Sequence, residues 1–294
     1  MSHVINIDRR SRDHPPYQVE RTPAGRPIRE HEQWPASNAR RLAAALKRAI
    51  DGEVRFDGGS RALYATDASS YRQVPIGVVV PRSVDDVLVT VDLCRQFDAP
   101  IVLRGGGTSL AGQGCNVAVL IDFSKYIDRI LAIDVEQRKA VVQPGCVLDE
   151  LRGAAERHGL TFGPDPSTHD HNTLGGMIGN DSCGVNSVMA GHTSDNVDEL
   201  EVLTYDGLRM MVGPTSDQEL RAIFAAGGPR AEIYQALDRF RHTYGDLIRA
   251  RFPKIPRRVS GYANLEDCCL RMDSMWHARW SGPKGPASPS CRRR

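Results

Sequence analysis

The spacing of apolar residues changes several times along the middle of the chain, and each change predicts an element. Ile76-Gly77-Val78-Val79-Val80-Pro81 is a short, continuously apolar run, as a strand buried on both faces requires. Val84, Val87, Leu88, Val91 and Cys94 then recur at steps of three and four, which predicts an amphipathic helix opened by Ser83. Ile101-Val102-Leu103 returns to strand character and completes a βαβ unit. Short β-rich runs follow at 117–122, 130–134 and 140–145, before a helix with Val147, Leu148, Leu151 and Ala155 on one face and Gly159 as its C-cap. Upstream, Leu42, Ala45, Leu46 and Ala49 trace a helical face that starts at Ser37 or Asn38 as N-cap and ends near Gly52. Downstream, 199–207 predicts a strand and turn, followed by helices around 216–225 and 231–250. The fold class is α+β in two lobes.

Composition narrows what such a fold can serve. Of the 294 residues, 40% are hydrophobic and 25% charged, enough to bury a substantial core. The 38 basic and 36 acidic residues leave a net charge of +2, so no broad positive field points to nucleic acid or anionic lipid, and a small soluble ligand is the better expectation. No apolar run approaches the roughly 20 residues that span a bilayer, and the first residues lack a hydrophobic signal segment, so the chain reads as cytoplasmic. The seven cysteines are odd in number and form no CxxC pair, which argues against a disulfide framework, structural zinc or an iron–sulfur cluster.

Candidate chemistry concentrates in two glycine-rich stretches. Arg104-Gly105-Gly106-Gly107-Thr108-Ser109 follows directly on a predicted strand. Three consecutive glycines let the backbone turn sharply and aim its N–H groups at an anionic ligand, while Thr108 and Ser109 add hydroxyl donors. No lysine follows in the P-loop position, and the spacing is not that of a nicotinamide-binding Rossmann turn, so neither of those sites fits. The second stretch, Thr173-Leu174-Gly175-Gly176-Met177-Ile178-Gly179-Asn180, is followed by Ser182, Gly184 and Gly191, and reads as a loop lying against something flat or phosphorylated. The alternatives are a plain tight turn for the first stretch and a glycine-rich helix packed on a sheet for the second. His169 and His171 with Asp165 and Asp170 read as a solvated loop rather than a metal site, and Cys183 as a small buried filler rather than a reactive thiol.

These stretches, with IDFSKYIDRILAID, VVQPGCVLDELRGAAERHGLTFGPDPSTHDHNTLGGMIGNDSCG and LEVLTYDG, resemble the FAD-binding domain of the vanillyl-alcohol oxidase / p-cresol methylhydroxylase superfamily, in the glycolate oxidase FAD-subunit and D-lactate dehydrogenase group. The agreement runs from about Asp57 to Tyr262 with the motifs in order. The resemblance implies a two-lobed PCMH-type FAD-binding domain over 57–214, after an N-terminal arm and helix (1–56) and before the helical start of a linker to a cap domain (215–265). It implies that Arg104, Gly105, Gly106, Gly107, Thr108 and Ser109 hold the FAD pyrophosphate, with Gly112 and Gln113 close by. Pro164, Asp165, Pro166, Ser167 and Thr168, then Thr173, Leu174, Gly175 and Gly176, fall beside the flavin and ribityl portions, and Asn180, Ser182 and Gly184 continue that segment. Asp181 departs from the family's Asn-Asn-Ser pattern, placing an acid beside the cofactor or in solvent. Thr108 stands where some relatives carry a histidine bonded to the cofactor, so the FAD is implied to be non-covalent.

The implied reaction is dehydrogenation of a 2-hydroxy acid of the D-lactate or glycolate type, with electrons passed to a quinone, cytochrome or iron–sulfur partner, which would allow peripheral attachment to an inner membrane. A catalytically inactive FAD-binding fragment and an NAD(P)H-dependent enolpyruvyl sugar reductase are the alternatives on this fold. The family's catalytic histidine lies beyond the region of agreement, so no catalytic base is named. From Glu266 the tail CCLRMDSMWHARWSGPKGPASPSCRRR loses all periodicity, and Arg292 to Arg294 read as a frayed end. Relatives continue with a segment resembling LLPxNGFxVARALVGSEGT. Codons chosen for the tail and read in a shifted frame give LLPANGFHVARALVGSEGT, its VAR-x-L core largely dictated by Met275 to Trp280. A frameshift near Asp267, natural or from sequencing, is the expectation this raises. Independent DNA reads with the same intact frame across that codon would sink it.

Overall fold

The computed structural model describes residues 34–255. The N-terminal arm to residue 33, the end of the linker and the tail from Glu266 lie outside the described residues.

Helix α1 (Ala36–Ala49) opens after Pro35 rather than at Ser37 or Asn38, because the proline carbonyl receives the amides of Asn38 and Ala39. Its buried residues are Leu42, Ala43 and Leu46, while Ala49 faces solvent. Strand β1 (Glu53–Arg55), helix α2 (Gly58–Leu63), strand β2 (Gly77–Val80), helix α3 (Val84–Gln96), and strands β3 (Ile101–Arg104) and β4 (Val119–Asp122) follow. The four strands make one sheet in the order β1-β2-β4-β3. Strands β2, β4 and β3 run parallel and β1 closes the edge antiparallel. The predicted βαβ unit is therefore real, but β4 is inserted between its strands. Every residue of β2 and β4 is buried, which explains why both read as unbroken apolar runs.

Ser83 caps α3 as expected, accepting from the Asp86 amide at 3.1 Å. The helix is rotated from its predicted face. Val84 is exposed, whereas Asp86 and Thr90 are buried. Asp86 is tolerated inside because its carboxylate accepts from the amides of Asp51 (3.1 Å) and Arg82 (2.8 Å). Leu42 and Leu46 of α1 pack with Val79, Cys94 and Val119 in one core, so α1 is built onto the four-stranded sheet.

A second core gathers Cys146, Leu148, Leu151, Phe162, Leu174 and Met177, with Ile130 and Val142 against it. It is assembled from the hairpin of β5 (Ile130–Asp134) and β6 (Lys139–Val142) and from helices α4 (Leu148–Glu156) and α5 (Leu174–Asn180). Burial pushes the Cys146 thiol up to about 11 and the Cys94 thiol up to about 12, so both are unreactive filler. Helix α6 (Ser187–Ala190), the hairpin of β7 (Leu200–Leu203) and β8 (Arg209–Val212), and the helices α7 (Asp217–Ala226) and α8 (Gly228–Arg251) complete the described chain. No helix among the described residues is long and apolar enough to cross a membrane.

Candidate functional site

The loop after β3 leaves the carboxyl end of a parallel sheet, the edge at which such sheets hold ligands. Among the described residues, the amides of Gly106, Gly107 and Thr108 have no acceptor, while the Gly107 carbonyl receives the Ala68 amide at 2.9 Å. Unsatisfied N–H groups in a glycine turn form a cradle suited to phosphate oxygens. Gly107 and Gly112 take left-handed backbone angles, with φ of 67° and 78°.

The two glycine stretches meet directly. A Cβ on Gly105 would lie 2.0 Å from the Thr173 hydroxyl, and one on Gly106 would lie 2.0 Å from the His171 carbonyl. The backbone can come this close only because both side chains are absent. A Cβ on Gly184 would lie 1.7 Å from the Asp165 carbonyl, which joins the 182–184 turn to the 164–168 segment in the same way. Asp165, Pro166, Ser167, His169, Cys183, Gly184 and Val185 line a cavity of about 420 Å³. That size is in the range of a small-ligand site.

Several assignments change. The second stretch is a short helix, α5, rather than a loop: Thr173 is its N-cap, with its hydroxyl accepting from the Gly176 amide at 3.3 Å. Leu174 is buried in the second core and its amide donates to the Cys146 carbonyl at 2.8 Å; the Gly175 amide is taken by the Pro144 carbonyl at 2.8 Å. Thr173 lies against Gly105 of the first loop, while Leu174 packs in the second core and Gly175 against Pro144. The Arg104 guanidinium is likewise engaged, donating to the carbonyls of Gly114 (3.0 Å) and Thr66 (2.9 Å). Ser109 and Gln113 bond to each other. Asp181 ends α5 in a left-handed conformation and its half-buried carboxylate accepts from the Ser194 amide at 2.9 Å. Cys183 is half-exposed at the cavity rather than buried. Asn180 donates to the Ser182 hydroxyl at 3.3 Å at the margin of this region.

Sequence reasoning missed Arg152. From α4 it donates to the Asp165 carboxylate (2.7 Å) and to the carbonyls of Pro164 (2.8 Å) and Phe162 (3.3 Å), fixing the cavity wall. It also missed the Asp149–His169 pair, at 2.7 Å from Oδ2 to Nδ1. No local period marks either, because an arginine on a half-exposed helix face reads as a solvated one.

His169 supplies a pH test. The hydrogen bond that its ring donates to Asp149 raises its pKa above the usual 6.5, with the charges of Asp149, Asp170 and Asp165 acting in the same sense against desolvation. A raised folded-state value favours the protonated form, so the stabilisation is complete below about pH 6.5 and is lost as pH rises through the folded value. His169→Gln should therefore lower Tm more at about pH 5.5 than at about pH 8.5. An equal Tm difference at both pH values would contradict this.

The fold and site together define a dinucleotide-holding α+β domain of the flavoprotein type. Residues 75–213 match the family model described as FAD binding domain, and this stretch is an FAD-binding domain of the PCMH/VAO superfamily. It is 36% identical over 239 residues to a D-2-hydroxyglutarate dehydrogenase of Pseudomonas putida, covering 79% of this chain and 24% of that protein. It is 36% identical over 162 residues to glycolate oxidase subunit GlcD of Bacillus subtilis, covering 54% of this chain and 34% of that protein. A mitochondrial D-lactate dehydrogenase (cytochrome) of Kluyveromyces lactis is 30% identical over 156 residues, covering 52% of this chain and 27% of that protein. The chain thus spans between 24% and 34% of the length of these curated relatives. Among solved structures, alkyldihydroxyacetonephosphate synthase aligns with a TM-score of 0.53 at 21% identity, covering 59% of this chain and 38% of that one. A carbohydrate oxidase from Microdochium nivale aligns with a TM-score of 0.52 at 17% identity, covering 61% and 38%. The fold is that of these two proteins.

Proposed function

We propose that the chain is the FAD-holding part of a 2-hydroxy-acid dehydrogenase, with the cofactor bound non-covalently. The observation that carries this reading is the row of acceptor-free amides at Gly106, Gly107 and Thr108, seated against residues 171–173 by glycine contacts with no room for a side chain. These amides, with the Thr108 hydroxyl, would hold the pyrophosphate, whose charge is met by preformed donors rather than by a lysine; the Ser109 hydroxyl is donated to Gln113. Pro166, Ser167 and Gly184 would flank the flavin end at the cavity they line. No histidine occurs between Arg104 and Gln113, so this loop has no imidazole for a covalent link.

When bound, FAD supplies a two-electron acceptor for the hydrogen on the substrate's carbinol carbon. The chain's own residues fix its position and, through the Arg152-held wall, shape the cavity beside it. The relatives described above are named for D-2-hydroxyglutarate, glycolate and D-lactate, which supports a 2-hydroxy acid as the substrate class. A quinone, cytochrome or iron–sulfur protein would take the electrons onward.

The test is to purify the chain, record its visible spectrum, and add D-2-hydroxyglutarate, D-lactate or glycolate with an artificial electron acceptor. Yellow protein bleached by one of these acids is the expected result. Yellow protein that none of them bleaches would mean flavin binding without turnover, and colourless folded protein would overturn the FAD reading.

A further inference from the structure

The segment 64–73 lies N-terminal to the part matched by the FAD binding domain model, yet it is sewn to the glycine loop. The Ala68 amide donates to the Gly107 carbonyl at 2.9 Å. The Asp67 carboxylate accepts from the Gly114 amide at 3.1 Å with one oxygen and from the Ser69 amide at 2.9 Å with the other. Arg104 completes the bracket, with one guanidinium nitrogen on the Thr66 carbonyl and another on that of Gly114. Its charge lies 5.8 Å from the centre of the Tyr64 ring, and Tyr64 is itself anchored to Asp122 at 2.7 Å. A Cβ on Gly107 would strike this guanidinium at 2.5 Å, and one on Gly112 would strike the Tyr71 ring at 2.8 Å. Both glycines take left-handed angles, and only their missing side chains leave room for the guanidinium and the ring.

We propose that Arg104 and Asp67 are positioning residues of the FAD site: they clamp the 105–114 loop between itself and segment 64–73, so that its amides are preset for the pyrophosphate, and neither side chain touches the cofactor. This rests on the FAD reading above. Presetting a loop raises affinity by removing the ordering cost from the binding step. Because the guanidinium acts through geometry, a lysine cannot replace it: an ammonium is a point charge and cannot reach two carbonyls in a fixed fork.

The experiment titrates FAD into the cofactor-free full chain, following flavin fluorescence at low and high salt, and measures amide hydrogen exchange without FAD. Arg104→Lys should weaken FAD binding by at least about tenfold, a factor that stays constant as salt rises, since lysine keeps the charge and loses only the fork that spans two carbonyls. Asp67→Ala should weaken binding by a similar factor and Asp67→Asn should restore only part of it, because its single oxygen can accept from the Gly114 amide while its NH2 cannot accept from that of Ser69. Exchange at Ala68 and Gly114 should quicken in Arg104→Lys. If Arg104→Lys binds FAD as the unaltered chain does, or its deficit shrinks with salt as for a lost phosphate contact, the clamp is wrong. If the unaltered chain binds no FAD, the cofactor reading fails instead, and unchanged exchange in Arg104→Lys would overturn the clamp independently.

Discussion

Gly106→Ala is expected to weaken FAD binding by roughly a hundredfold, equivalent to about 3 kcal/mol. The new methyl would lie 2.0 Å from the His171 carbonyl, a backbone atom that cannot rotate away. The loop must then lift from the 171–173 segment, and the amides of Gly106, Gly107 and Thr108 lose their common geometry. Gly179→Ala is the matched control. It sits in α5 with nothing within 4 Å of the new Cβ, so the FAD-free chain should gain about 0.5–1 kcal/mol from helix propensity. Fluorescence titration of FAD and thermal melts of the cofactor-free protein check both. Wild-type FAD affinity in Gly106→Ala would refute the contact between the two glycine stretches.

Arg152→Met should destabilise the chain by about 3 kcal/mol, because it leaves a carboxylate and two carbonyls without their donor in a partly buried wall. The arginine is only 17% exposed and its partner Asp165 27%, so solvent compensates incompletely. Asp165→Asn should cost clearly less, since Arg152 keeps its bonds to Pro164 and Phe162. Comparing the melts of the two single variants and the double variant isolates the ion pair. If Arg152→Met melts with the unaltered protein, the wall is held by something else.

Much of the architecture is legible in the chain because it rests on local periods. The helix over 84–96 and the strands at 77–80 and 130–134 each carry a hydrophobic spacing that only one element satisfies. Errors arise where a polar residue is buried at the cost of local logic. Asp86 rotates α3 because two backbone amides reach its carboxylate from outside the helix, and Pro35 displaces the expected cap of α1 because its carbonyl already serves that turn.

Sequence alone determined the α+β class, the order of the motifs, and the fact that two glycine-rich stretches must lie where side chains cannot. Tertiary structure decided what each glycine excludes and which groups remain free to bind. Only the folded chain shows that Gly105 and Gly106 meet Thr173 and His171, that Gly184 meets Asp165, and that α5 spends its first amides on Pro144 and Cys146. It also shows the Arg104 guanidinium donating to the carbonyls of Gly114 and Thr66. The reason is physical: a hydrophobic period records which face of an element is buried, whereas close backbone approach and hydrogen-bond partners depend on segments far apart in the chain, whose meeting no local spacing encodes.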